Sequence, residues 1–421
     1  MKDLQKTYFP TVKAIKSAAE KLQGIASISP LEEHQRFSDK YHCKMLFKRE
    51  DLQQVRSYKI RGAYNKISSL TNEETKNGIV CASAGNHAQG VALSCQLLKI
   101  KGKIFMPAPT PNQKVEQVKM FGKEFVEVVL TGDTFDDSYH KAIEECEQYN
   151  KPLVHPFNDT KVIEGQGTVG LEIIKQSDIP IDYIFIPVGG GGLASGLSSV
   201  VKALSPETKI IGVEPAGAPS MSKSIKKGEL IQLNKIEKFV DGASVKKVGD
   251  LTFEICQKNL DVMTTVHEGK ICQTILEMYN KDAIVAEPAG VMSIAALDEF
   301  KDEIKGKTVV CLVSGSNNDI TRTAEIKERA LLYANLKHYF IIKFPQRPGA
   351  LREFVVDMLG PHDDITHFEY TKKVNRENDV AVVGIQLKTQ EDLQPLITKL
   401  KAHNFFGDYL NDKPELFQFL V

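Results

Sequence analysis

Four consecutive glycines, Gly189 to Gly192, separate the apolar run Ile184-Phe185-Ile186-Pro187-Val188 from a helical pattern that begins at Leu193. A chain that leaves a strand and enters a helix through a turn without side chains can wrap its backbone closely around a guest. The helix start adds free N–H groups and the positive end of the helix dipole, so the natural guest is a phosphate. No GxxxxGK[ST] follows, which excludes a P-loop. Gly189, Gly191 and Ala194 do fit GxGxx[GA], and Glu214 ends the next strand at about the spacing of a dinucleotide site. On this segment alone a dinucleotide and another phosphate fit equally, and a purely structural turn is the plain alternative.

Three further segments matter: the first reads as the mouth of a helix, and the other two join strand, tight turn and helix. They are Ser57-Tyr58-Lys59-Ile60-Arg61-Gly62-Ala63, Ser83-Ala84-Gly85-Asn86-His87, and Ser314-Gly315-Ser316-Asn317-Asn318. Each has an ordinary reading when taken singly. Lys59 is then a solvated helix lysine, His87 a structural or capping histidine, and Asn86 a cap residue. Together they disfavour the dinucleotide. A dinucleotide fold opens on its fingerprint, whereas this glycine run lies almost halfway along the chain, and Lys59 and Asn86 would have no task. A lysine can form an imine with an aldehyde, and a desolvated lysine can act as a base. One amine, one phosphate cradle and two polar turns meet the needs of a pyridoxal phosphate site.

Residues 1–335 alternate short β-branched runs with longer amphipathic stretches. Ile79–Ala82, Lys103–Met106, Phe125–Val129, Tyr183–Val188, Lys209–Val213 and Thr308–Val313 read as strands, each followed by a helical pattern. This order predicts parallel sheets covered by helices on both faces, an α/β fold. Near residue 336 the pattern changes. Strands are expected at Lys337–Phe344, Ile365–Lys373, Asp379–Thr389 and Glu415–Val421, with helices at Ala350–Leu359 and Glu391–His403 and a polar turn at Asn375–Asn378. The order β-α-β-β-α-β is that of an α+β ferredoxin-like domain. The boundary is expected at about 335–338, which gives domains of 1–335 and 338–421.

The chain has 421 residues, enough for two or three domains, each able to bury its own core. Lys+Arg and Asp+Glu are equal at 54 each, so no net basic field points to nucleic acid or a membrane surface. The first six residues, Met1 to Lys6, lack the apolar core of a signal peptide, and no apolar run approaches the roughly 20 residues of a membrane span. The seven cysteines are scattered and never spaced Cys-x-x-Cys. Cys81 and Cys311 lie inside strand-like runs. Reduced, buried thiols in a cytoplasmic protein are the plain reading, and a structural zinc site has little support. No metal ligand set is expected.

The first segment, Ser57 to Ala63, resembles the pyridoxal-phosphate attachment signature of the serine/threonine dehydratases. Ser83-Ala84-Gly85-Asn86-His87-Ala88-Gln89-Gly90 resembles their asparagine loop, Gly189–Gly192 their phosphate loop, and Glu287-Pro288-Ala289-Gly290 also recurs there. The resemblance covers about residues 5–335. The tail, through Arg347-Pro348-Gly349-Ala350-Leu351 and its order of elements, resembles the ACT-like regulatory domain of the biosynthetic threonine-specific members, in one copy. This resemblance implies PLP fold type II (tryptophan synthase β-like), with a smaller parallel-sheet subdomain at about 52–150 inserted in the larger one. It implies that Lys59 carries the cofactor and then takes the α-proton of the substrate. Tyr58 would lie against the ring, and Asn86 would bond the ring hydroxyl oxygen. Gly189, Gly190, Gly191, Gly192 and Leu193 would hold the phosphate, and Ser314 the pyridine nitrogen. Ser83, Gly85, Asn86 and His87 would surround the substrate carboxylate. A neutral hydroxyl at the nitrogen makes a weaker electron sink than a carboxylate would, which suits elimination.

The implied reaction converts L-threonine to 2-oxobutanoate and ammonia, the first step towards isoleucine, with L-serine a poorer substrate. Isoleucine, opposed by valine, would act through the tail, where Phe344, Arg347, Gly349 and Leu351 are the candidate effector residues. A homotetramer is implied. Glu214 is present where relatives place a divalent ion, but Ser220 stands where an acidic ligand is expected, so a monovalent ion stays open there. The alternatives are a serine dehydratase or racemase on the same scaffold and, of another class, an NAD-dependent oxidoreductase. Relatives of the first kind usually lack the tail.

Overall fold

The structure is a computed structural model that describes residues 8–370 and 378–420. The chain divides into two compact units between Ile320 and Thr321.

In chain order the strands of the first unit are β1 Leu31–Glu33, β2 Lys44–Arg49, β3 Ile79–Ala82, β4 Gly102–Met106, β5 Val126–Leu130, β6 Tyr183–Pro187, β7 Lys209–Pro215, β8 Val262–Val266 and β9 Thr308–Val313. Six of them form one sheet in the order β1-β2-β9-β6-β7-β8, and β3-β4-β5 form another. All neighbours are parallel except β1, which runs antiparallel to β2. Every residue of β6 and β3 is buried, which is why these strands read as continuous apolar runs. The core of the large sheet gathers Ile184, Ile186, Leu197, Val201, Ile210 and Val310, and that of the small sheet gathers Ile79, Cys81, Val91, Ile104 and Val118. Cys81 and Cys311 are buried free thiols. Among the described residues no helix is long and apolar enough to cross a membrane.

Three helices hold the centre of this unit. The helix Thr160–Gln176 starts at Asp159, whose carboxylate accepts from the backbone N–H groups of Lys161 and Val162 at 2.8 and 3.1 Å. It packs on Lys59–Ile67 and on Gly192–Leu204 with backbone against backbone. A methyl group at Gly165 would meet Arg61 O at 2.4 Å, and one at Gly196 would meet Ile163 O at 2.2 Å. Arg61 is fully buried and pairs with Glu50 through two bonds of 2.8 Å and with Glu172 at 2.5 and 2.9 Å. Lys48 donates to the same Glu172 at 2.6 Å, to Ser29 O at 2.6 Å and to Gln176 at 2.8 Å. The Arg61 and Lys48 charges hold the Glu50 carboxyl below its ordinary range against the opposing effect of its own burial.

In the second unit the helix Thr323–Tyr333 precedes β10 Lys337–Pro345, the helical stretch Ala350–Met358, β11 Asp364–Tyr370, β12 Asn378–Gln386, the helix Leu393–Ala402, β13 Phe406–Tyr409 and the helix Pro414–Leu420. The antiparallel sheet runs β11-β12-β10-β13, the ferredoxin-like order. Its core includes Phe340, Ile342, Phe354, Val383, Ile385 and Leu400.

Two expectations need correction here. The last strand is Phe406–Tyr409, not Glu415–Val421, and Pro414–Leu420 is a helix. Pro414 pre-sets the first turn, Leu416 and Leu420 stand one turn apart, and Phe417 packs edge-on to Tyr339 at 5.2 Å. The β13 segment is short, glycine-bearing and half polar, so its pattern is weak. The division also falls before Thr323–Tyr333 rather than after Asn335. Tyr339 donates to Glu328 at 2.6 Å, Lys337 pairs with Glu328, and Gln390 donates to Ala334 O at 2.8 Å, which ties that helix to the second sheet. Of the turn expected at 375–378, residues 375–377 lie outside the described residues, as does Val421.

Removing Arg61 leaves Glu50 buried and unpaired. Arg61→Ala should cost about 3–5 kcal/mol, the usual effect of breaking a buried pair, read as a lower midpoint in urea unfolding.

Candidate active site

The strands β3, β6 and β9 end in the asparagine turn, the glycine run and the Ser314 turn. β6 and β9 belong to the large sheet and β3 to the small one, and in each sheet parallel strands present such turns at the carboxyl end, where a ligand crevice forms. The Lys59 segment is fastened to the third turn. Ser57 bridges to Gly315, the N–H of Ser316 donates to Arg56 O at 2.9 Å, and that of Tyr58 to Ser314 O at 3.4 Å.

Lys59 is the first residue of its helix. Its amine donates to Pro156 O at 3.0 Å and lies 5.3 Å from the Tyr58 ring centre. Burial lowers its pKa to about 8, while the Glu287 charge acts the other way. Tyr58 is half-buried against the core of the large sheet, and burial pushes its hydroxyl above the ordinary range.

Asn86 opens the helix Asn86–Leu98 and is held at both ends of its amide. Its Nδ2 donates to Glu287 Oε1 at 2.6 Å, and its Oδ1 accepts from Asn317 Nδ2 at 2.6 Å. Ser83 Oγ accepts from the Gly85 N–H at 3.3 Å. Gly85 is the cap residue, and a methyl group there would meet nothing within 4 Å. The His87 ring faces the backbone instead, with Nε2 2.8 Å from Val154 O. Burial lowers its pKa to about 3, so the ring is neutral, and its Nδ1 is left without a partner among the described residues. Ser314 is buried and donates to Ala289 O at 3.3 Å.

The glycine run is a cradle without room for side chains. Gly191 has φ +91° and caps the helix Gly192–Leu204, which has no side-chain cap. A methyl group at Gly190 would meet the Phe157 ring at 2.2 Å, and one at Gly189 would meet Ala243 Cα at 2.9 Å. The Thr252 hydroxyl donates to Gly190 O at 2.6 Å and fixes the turn from behind.

The structure therefore assembles Lys59, Tyr58 and Ser314 on adjoining segments and links Asn86 to both Glu287 and Asn317. Sequence reasoning gave Glu287, Asn317, Phe157, Pro156 and Thr252 no task. An acid in the apolar stretch Ala286-Glu287-Pro288-Ala289 was the signal for the first. At Glu214 the carboxylate accepts from the N–H groups of Met221 and Ser222 at 2.7 Å each and from Ser222 Oγ at 2.6 Å. Burial raises its pKa to about 7 against these bonds.

In the second unit Phe344, Arg347, Gly349 and Leu351 line one cavity of about 270 Å³ together with Phe368 and Tyr370. The Phe344 ring lies 6.1 and 5.6 Å from those two rings. Arg347 pairs with Glu353, and Gly349 has φ +88° at the helix cap.

A desolvated amine, an uncapped helix start behind a side-chain-free turn, and buried polar atoms without partners at Ser57 Oγ and Asn317 Oδ1 fit a phosphate-bearing aldehyde. This is the site of a pyridoxal-phosphate dependent enzyme. The comparisons agree. Residues 23–315 match the family of pyridoxal-phosphate dependent enzymes, and residues 328–420 match the C-terminal regulatory domain of threonine dehydratase. The L-threonine dehydratase biosynthetic IlvA of Halalkalibacterium halodurans is 58% identical over 404 residues, 96% of this chain and 97% of that protein. The processed form of threonine deaminase isoform 2 from Solanum lycopersicum superposes with TM-score 0.71 at 39% identity, covering 77% of this chain and 90% of that one. Serine racemase from Dictyostelium discoideum superposes with TM-score 0.68 at 33% identity, covering 74% and 99%. The chain belongs to the biosynthetic L-threonine dehydratases. The dinucleotide alternative is not favoured.

Gly190→Ala should force the turn off Phe157 and weaken retention of pyridoxal phosphate, at an overpacking cost of about 1–3 kcal/mol. Equilibrium titration of the apoprotein, followed by cofactor absorbance, checks this.

Proposed function

We propose that this chain releases ammonia and 2-oxobutanoate from L-threonine, with Lys59 as attachment point and base. The observation that carries the reading is the desolvated Lys59 amine, set beside the turns that bear Ser314 and Gly189–Gly192, in a chain 58% identical to a biosynthetic threonine dehydratase. Bound pyridoxal phosphate supplies an aldehyde for the substrate amine and a ring that withdraws electrons from the α-carbon.

In this reading the residues share the work as follows. The first N–H groups of the helix at Gly192 and Leu193, with the turn Gly189–Gly191, hold the phosphate. The Ser314 hydroxyl would face the ring nitrogen without placing a charge on it. Asn86 would reach the ring oxygen, and Tyr58 would close one side. Ser83 and the N–H groups of Gly85, Asn86 and His87 take the substrate carboxylate at a helix start. Lys59, displaced by the substrate amine, takes the α-proton. A pKa lowered to about 8 leaves a useful neutral fraction at neutral pH, as a general base needs. The electrons of the broken Cα–H bond form the Cα=Cβ bond as the β-hydroxyl leaves with a proton as water, and the released enamine tautomerises and takes up one water to give 2-oxobutanoate and ammonia.

Regulation belongs to the same reading. Isoleucine, opposed by valine, would bind the cavity at Phe344, Arg347, Gly349 and Leu351, with the aromatic rings covering an aliphatic side chain. A homotetramer in the cytoplasm completes it, and the buried free thiols fit a reducing compartment. The serine racemase neighbour makes a second activity worth measuring, and the regulatory tail match favours threonine.

Lys59→Ala should lose essentially all ketoacid release from threonine while keeping the wild-type circular dichroism spectrum. Appreciable residual turnover would sink the assignment. For the effector, Leu351→Glu should leave uninhibited threonine turnover unchanged and abolish the response to isoleucine. Inhibition curves with and without the substitution decide it, since an effector must bind the less active state more tightly.

A further inference from the structure

The Asn86 amide sits in a series of hydrogen bonds whose direction can be read from one end. Val55 O is a backbone carbonyl and can only accept. It accepts from Asn317 at 2.9 Å, so the atom facing it is Nδ2. That same Asn317 Nδ2 lies 2.6 Å from Asn86, so the atom it meets there is Oδ1. Asn86 Nδ2 is therefore the end turned to Glu287, 2.6 Å from Oε1. Because the series starts at a backbone carbonyl, this orientation holds in either charge state of Glu287. The fixed surroundings support it. Glu287 is buried, its N–H donates to Gly315 O at 3.1 Å, and a methyl group at Gly315 would strike its Oε1 at 2.3 Å. The carboxyl group is packed directly against the Gly315 backbone on that side.

We propose that Asn317 and Glu287 are positioning residues that lock the Asn86 amide with its nitrogen as donor, so that Asn86 can offer the cofactor's ring oxygen only an N–H. Glu287 uses one of the two Nδ2 hydrogens and leaves the second. A donated N–H stabilises an oxygen anion and disfavours its protonated form. The series thus selects the ionised state of the ring hydroxyl, which a free asparagine, able to flip, would not do. The inference rests on the reading of Asn86 as the partner of the ring oxygen.

The test uses the full-length protein loaded with pyridoxal phosphate. Four variants are compared: Asn317→Asp, Glu287→Leu, Glu287→Gln and Asn86→Ala. The readouts are the absorption spectrum of the lysine-bound cofactor and its dissociation constant, with circular dichroism to confirm folding. Asn317→Asp replaces the donor to Asn86 Oδ1 by an acceptor, which opposes the wild-type orientation and leaves the amide held by Glu287 alone. The visible band of the ionised ring should then give way to the near-ultraviolet band of the protonated one, and cofactor affinity should fall about tenfold or more, as for loss of a bond to a charged group. Glu287→Leu should shift the spectrum in the same direction. Glu287→Gln keeps an acceptor of the same shape and should restore the wild-type spectrum. If Asn317→Asp and Glu287→Leu both keep the wild-type spectrum while Asn86→Ala changes it, the positioning role is wrong and the Asn86 reading survives. If Asn86→Ala changes nothing either, the reading of Asn86 itself fails. Should Asn317→Asp not fold, the contrast between Glu287→Leu and Glu287→Gln decides, and equal spectra for those two overturn the proposal.

Discussion

The buried guanidinium of Arg61 is the constraint on which the first unit turns. It lies two residues after Lys59 and is gripped by Glu50 from the end of β2 and by Glu172 from the helix Thr160–Gln176. Its Nη2 and Nη1 also lie 3.1 Å from Ser27 O and Thr168 Oγ1. A buried charge is tolerable only when its donors are matched, and here the fork is matched by two carboxylates, with Lys48 bringing a second cation. The network adds little net stability over an apolar core of equal volume, yet it admits one geometry. It fixes the start of the Lys59 helix relative to both the large sheet and the central helix. An amine on a long, flexible side chain gains a defined position only if its backbone has one.

The glycines of the central helices extend that logic. Gly165 and Gly196 let three helices touch through their backbones, which brings Lys59–Ile67 and Gly192–Leu204 against the same partner. The lysine and the phosphate cradle are thereby set from one helix, although they are far apart in sequence. Strand order does the rest. β9 lies between β2 and β6 and carries the Ser314 turn to the segment Arg56–Tyr58.

Much of this was legible in the sequence, for identifiable reasons. Buried parallel strands leave unbroken apolar runs, and the turns that follow them carry unusual residues, so β3, β4, β6, β7 and β9 and the polar turns stood out. The site residues clustered for the same reason. What escaped was encoded at long range. Lys44–Arg49 reads as basic and mixed, because its lysine and arginine find partners only in the folded state. Glu287 is separated from Asn86 by 201 positions and shows no local pattern. Phe157 owes its place to glycines that could accept any flat neighbour. In the tail, β13 failed to register because four half-buried residues with a glycine carry no alternation, while Glu415–Leu420 contains enough large apolar residues to suggest a strand.

The electrostatics of Lys59 and Glu287 share a leading cause, to which the Asp241 charge adds at Glu287. Desolvation drives an amine down and a carboxyl up, and here it brings Lys59 to about 8 and Glu287 to about 7. Each is opposed by something specific. The Glu287 charge raises Lys59, and the Asn86 bond lowers Glu287. Neither opposition wins, so both groups stay near the point where losing or gaining a proton costs little. A fully solvated lysine would be locked as a cation and could not act as a base at neutral pH. A dry one without a nearby carboxyl would fall further and would be too weak to remove a proton from carbon. Lys59 and Glu287 sit between these limits, and the Asn86 amide and the Asn317 backbone N–H, which both hydrogen-bond the carboxyl, temper the balance.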